Sequence, residues 1–133
     1  MRKGAILFHP GFEFANGEIG RKYLIIINTP DIKKSEPFLF CKTTSQSQNK
    51  PQTPGCHAER NLYCIAAQFD FFRRKTWVQF FEMFEANYDE FVKEHFELGL
   101  EVRGELRKET ISAIINCIKK SDDVSIYHLS LLK

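Results

Sequence analysis

The chain has 133 residues, a formal net charge of +2, 43% hydrophobic and 27% charged residues, a balance that fits one globular domain and excludes a disordered segment. So small a charge excludes a uniformly basic nucleic-acid coat, although it leaves room for a local basic groove. No apolar run approaches the roughly 18 residues of a membrane span, and the start from Met1 to Phe8 turns polar at His9, too early for a signal-peptide core. The 13 Phe are the unusual feature and point to strands packed around a compact aromatic interior. Cys41, Cys56, Cys64 and Cys117 are spread without a secreted-domain spacing, so they read as reduced thiols of a cytoplasmic protein.

In chain order, Gly4 to His9 predicts a first strand, ended by Pro10-Gly11. Phe12 to Gly20 holds Asn16-Gly17 and reads as a loop. Tyr23 to Ile27 is a short β-branched run whose lack of alternation predicts burial on both faces. Pro37 to Thr44 is a third strand, and Ser45 to Gly55, rich in Ser, Gln, Asn and Pro, reads as a mobile surface loop. Asn61 to Gln68 and Thr76 to Phe81 are further strands. After Phe84 the period becomes helical. Asn87 and Glu90 form a capping box, Gly99 stops the helix, and Tyr88, Phe91, Val92, His95 and Phe96 supply its apolar spacing. Ile111, Ile114, Ile115 and Ile118 mark a second amphipathic helix, and Ile126, Leu129 and Leu132 a last helical turn. The fold class is therefore α+β in a single domain, with a barrel-like sheet over about residues 1–84 and a helical tail over about 86–133.

Three constellations bear on chemistry. Cys56-His57-Ala58-Glu59 holds the His-x-Glu half of a zinc-deaminase signature, but the Cys-x-x-Cys half is missing, so no metal site is expected there. Arg73-Arg74-Lys75, beside Phe71-Phe72 and Trp77, interleaves cations with rings, which suits single-stranded nucleic acid as well as it suits a solvated turn. Arg21-Lys22 before the Ile-rich strand and Thr43-Thr44 at the end of the next place cations and hydroxyls at adjacent strand rims, where they can converge on one phosphate. Cleavage of RNA by its own 2′-hydroxyl needs charge stabilisation and proton transfer, both within reach of such groups. His9, at a strand end, reads as a catalytic candidate or as an ordinary edge residue.

The ordered set of Gly4 to Leu7, an aromatic-and-Gly loop, Arg21 before a strand ending in Asn28, and Cys41-Lys42-Thr43-Thr44-Ser45-Gln46 resembles the MazF/PemK toxins over about residues 3–48, and the tail from about Leu100 resembles divergent PemK-like proteins. The resemblance implies an SH3-like β-barrel with C-terminal helices, commonly a homodimer. It implies a sequence-selective endoribonuclease that cuts single-stranded RNA without metal or cofactor and is neutralised by an antitoxin protein. By position Arg21 matches the family's catalytic arginine and Thr43 its phosphate-binding threonine, with Thr44 beside it. The family's Pro after that arginine is replaced by Lys22-Tyr23, which makes Lys22 a second candidate for the working cation. Two other functions stay open: a barrel without catalysis that binds RNA or a protein, and contact inhibition of a topoisomerase, as in a related branch of the fold.

Overall fold

Leu24, Ile25, Ile26 and Ile27 are almost wholly buried although they follow one another at the end of one strand and just past it, so both faces of the sheet they belong to must be covered. The computed structural model describes residues 2–13, 17 and 19–132. These form strands β1 (Ala5–Glu13), β2 (Ile19–Ile26), β3 (Phe38–Thr44), β4 (Gly55–His57), β5 (Leu62–Ile65), β6 (Thr76–Ala86) and β7 (Glu101–Glu105), with helices α1 (Tyr88–Leu98), α2 (Lys108–Lys119) and α3 (Ile126–Leu131). The seven strands make one sheet in the order β4-β5-β6-β3-β2-β1-β7, antiparallel at every pairing. The α+β class stands. The sheet ends in two edges, β4 and β7, and is not closed into a barrel.

Strand alternation sorts the core into two layers. Leu24 and Ile26 pack with Leu7, Phe38 and Phe40 beneath Phe91 of α1. Ile25 and Ile27 pack with Ile6, Leu39 and Cys41 beneath Ile111, Ile114, Ile115 and Ile118 of α2. The capping box forms as the sequence predicts: Asn87 accepts from the Glu90 N–H, Glu90 accepts from the Asn87 N–H, and Gly99 ends α1 at φ 77°.

Four expectations need correction. β1 does not stop at Pro10-Gly11; its pairing with β2 shifts register between His9 and Phe12, and that irregularity accommodates the N–H that proline lacks. β2 begins at Ile19, so Arg21 and Lys22 sit on a strand and not in a loop before one; the remainder of the predicted loop, at residues 14–16 and 18, lies outside the described residues. The tail is not purely helical, because Glu101–Glu105 returns to pair with β1 as an edge strand. Its charged, exposed residues carry no apolar alternation by which to find it. Ser45 to Pro54 is tied back to the sheet and its loops at three points: Trp77 Nε1 donates to the Pro51 carbonyl at 2.8 Å, Lys75 Nζ to Gln52 at 2.8 Å, and Arg60 to Asn49 at 2.7 Å.

The cysteines also depart from expectation. Cys56 of β4 and Cys117 of α2 form a disulfide across 61 residues, while Cys41 and Cys64 are free and buried. The spacing gave no hint of that pairing, because β4 and α2 meet only in space. None of the described helices is long and apolar enough to cross a membrane.

Two outcomes follow for stability. Closing a loop of this length stabilises by about 4 kcal/mol in the chain-entropy account, so dithiothreitol or Cys56→Ser should lower the unfolding free energy in urea by up to about that amount. An unchanged midpoint would show that the reduced chain keeps the same restraint by other contacts. Truncation before Lys108 removes four buried isoleucines worth roughly 6–12 kcal/mol, as much as a whole domain's stability. The truncated chain should show no cooperative melt; a melt like that of the full chain would contradict the packing described.

Candidate functional site

The face that α2 covers runs on past the helix. Ile6, Ile25, Cys41 and Val78 belong to the core beneath α2. Two residues further along the same strands, on the same face, come Phe8, Tyr23, Thr43 and Thr76, and one more step along β2 is Arg21. These residues floor an open groove of about 840 Å³, whose walls are Thr44 to Gln46 at the end of β3 and Phe71 to Arg74 in the loop before β6.

That loop is set by α2. Asp70 is nearly buried, and its Oδ2 accepts from the Arg107 N–H at 3.0 Å and from Thr110 Oγ1 at 2.7 Å. Arg107, at the head of α2, has no side-chain cap of its own, so Asp70 supplies an acceptor and a negative charge at the helix N-terminus. The other carboxylate oxygen accepts from the Phe71 N–H at 2.8 Å, fixing the start of the groove wall.

Charge in the groove has one sign. Arg21, Lys22, Arg73 and Arg74 line it, and among the described residues no Asp, Glu or His does. Elsewhere arginines meet acids: Arg2 with Glu105 at 2.9 Å, Arg103 with Glu101 at 2.8 Å, Arg107 with Asp70 at 3.8 Å. Among the described residues, the guanidiniums of Arg21, Arg73 and Arg74 have neither a carboxylate nor a hydrogen-bond acceptor, and all three are exposed. Lys75, expected with them, does not line the groove; its ammonium is committed to the Gln52 carbonyl.

Lys22 stands differently from the arginines. It is half-buried, and its Nζ donates to the Thr43 carbonyl at 2.8 Å. Burial, then the neighbouring charges of Lys42 and Lys50, hold its ammonium below the ordinary lysine range. The paired register of β2 and β3 stops at Leu24 opposite Lys42. Beyond it side chains take over, with Lys22 on the Thr43 carbonyl and Thr43 Oγ1 donating to the Tyr23 carbonyl at 2.8 Å.

This changes the reading of two site residues. Thr43 is 4% exposed and its hydroxyl proton is spent on the backbone, so it braces the groove floor and is not an open phosphate donor. Trp77, expected to stack on bases, is fully buried with Leu62 and Cys64 and only anchors the loop at Pro51. Thr44 lines the groove and its Oγ1 accepts from the Gln46 N–H at 3.2 Å. Phe8, Tyr23, Ser45 and Gln46 are site residues that the sequence reading passed over. Once Arg21 is placed on β2, Tyr23 follows at a strand's period of two, and Phe8 is its register partner on β1. His9 lies away from the groove, buried, with Nε2 3.4 Å from Glu94 of α1. Cys56 is taken by its disulfide, which removes it from any zinc set with His57.

Thr43→Val keeps the shape and leaves the Tyr23 carbonyl without its donor, so it should cost about 1–3 kcal/mol of stability by chemical denaturation. An unchanged unfolding midpoint would show that the Thr43 hydroxyl does not brace the groove floor. Set beside known proteins, the chain matches no family model, no curated protein and no solved structure.

Proposed function

We propose that this chain is an endoribonuclease of the MazF/PemK kind, which binds single-stranded RNA along the groove and cuts it by attack of the RNA's own 2′-hydroxyl. The observation that carries the proposal is the trio of exposed guanidiniums, Arg21, Arg73 and Arg74, lining a groove with aromatic rings and, among the described residues, no acid. Unpaired guanidinium forks beside open rings suit a flexible phosphate chain with accessible bases better than a stacked duplex.

In this reading Arg21 neutralises the crowded phosphorane as the 2′-oxygen bonds to phosphorus and the 5′-oxygen leaves, giving a 2′,3′-cyclic phosphate. The guanidiniums supply the positive charge that a metal brings in other nucleases. Lys22, its proton held more loosely than that of an ordinary lysine, serves proton transfer. Thr43 and Thr44 hold the rim. The resemblance adds an antitoxin partner and a homodimer to the proposal, and an RNA substrate adds the cytoplasm, where the Cys56–Cys117 bond would face reductants. A second reading, an RNA-binding module without catalysis, is favoured by the lack of His, Asp or Glu among the described lining residues, which leaves Lys22 as the proton carrier among them.

Cleavage of single-stranded RNA by the purified protein in excess EDTA separates these readings. The expected result is a 2′,3′-cyclic product, a loss of a hundredfold or more with Arg21→Ala, and an unaltered melting curve because Arg21 is exposed. Because the Lys22 pKa is lowered, the neutral amine gains population at a pH below the usual lysine value, and the rate should rise on that alkaline limb. Lys22→Arg should remove the rise. Full activity in both Arg21→Ala and Lys22→Ala would sink the nuclease assignment at this groove, and RNA bound but never cut would establish the binding module.

A further inference from the structure

We propose that Phe71 is a base-stacking platform, held in position by the missing side chain of Gly104, so that a nucleobase lies on Phe71 while Arg73 and Arg74 take the flanking phosphates. The inference rests on the RNA reading above and deepens it.

The groove wall is a connected run of rings. Phe8 and Tyr23 lie with centroids 5.5 Å apart, Tyr23 meets Phe71 edge-on at 5.7 Å, and Phe71 meets Phe72 at 5.2 Å and 89°. Their exposure differs in a way that selects one of them. The guanidinium of Arg103 covers Phe8 at 4.4 Å, and Phe72 is 7% exposed and belongs to the core. Phe71 keeps 37% of its surface open, although two other rings clamp its position. A ring already immobilised loses little further freedom when a base stacks on it, so the contact goes into affinity.

Gly104 shows that this placement is built in. A Cβ on Gly104 would stand 2.8 Å from Phe71 Cδ2 and 2.9 Å from Cε2, closer than such atoms approach. Its backbone is not in the left-handed region, so the chain conformation does not call for glycine there. The space a side chain would take on β7 is the space the Phe71 ring uses. From the other side, the Asp70 carboxylate ties the Phe71 N–H to the head of α2. Phe71 is thus positioned by two elements that supply none of the described lining residues, and the next residues along are Phe72, Arg73 and Arg74.

The test uses an uncleavable 2′-O-methyl single strand carrying the fluorescent base 2-aminopurine at successive positions. Wild-type protein should quench one position strongly. Phe71→Leu should abolish that quench and weaken binding by about 5- to 150-fold, with the salt dependence of binding kept. Phe71→Tyr should retain the quench. Gly104→Ala, which substitutes no groove residue, should displace the Phe71 ring and give the Phe71→Leu result; a melting curve checks that it folds, and Phe71→Leu carries the test if it does not. Strong, salt-dependent binding with no quenched position, or a quench that survives Phe71→Leu, would overturn the platform and leave the groove reading standing. A wild-type protein that binds no RNA would remove both.

Discussion

The burial of β2 on both faces is the constraint from which the rest of the architecture follows. Leu24 and Ile26 need cover on one side and Ile25 and Ile27 on the other, and no single helix can supply both. The chain answers with α1 over one layer and α2 over the other. Neither helix reaches the outer end of β2, where Arg21 and Tyr23 continue the face of Ile25 without a cover. The groove is therefore the uncovered end of the same surface that makes the core, and its floor is the sheet itself.

Helix α2 does more than fill a core. Near its head, Arg107 and Thr110 hold Asp70 and with it the wall that carries Phe71 to Arg74. Towards its other end, Cys117 is bonded to Cys56, where the segment that starts at Ser45 and Gln46 enters β4. Both walls of the groove are thus referred to one helix, which is why groove geometry and fold stability are expected to move together on reduction. Trp77, Arg60 and Lys75 add hydrogen bonds to the segment that follows the second wall, at Pro51, Asn49 and Gln52.

Much of this was legible in the residues where the signal is local. The Asn87 and Glu90 box, the Gly99 stop and the Ile stripe of α2 depend on neighbours within a few positions, and each is found where the sequence places it. The failures are non-local. Glu101 to Glu105 becomes a strand only because β1 offers an edge to pair with, and Pro10 stays within β1 only because a register shift absorbs it. Trp77 reads as a ligand-facing ring beside a basic cluster, yet β6 turns it inward under the Pro51 carbonyl. For the groove, Arg21, Lys22, Thr43, Thr44, Arg73 and Arg74 were expected and all line it, whereas the role of Thr43 changed because its hydroxyl proved to be a ladder substitute at the point where β2 and β3 stop pairing. Which rings join those cations was hidden until β2 was known to extend back through Arg21.

The proposal that uncommitted guanidiniums make the groove a binding site for single-stranded RNA is tested most directly by the salt dependence of affinity. Each phosphate contact contributes about 0.7 to the slope of log K against log salt on a single strand. Three arginines in contact should give a slope of about −2 for the wild type, and Arg21→Ala, Arg73→Ala and Arg74→Ala should each reduce it by about 0.7. A slope that stayed unchanged when all three were removed together would contradict the account.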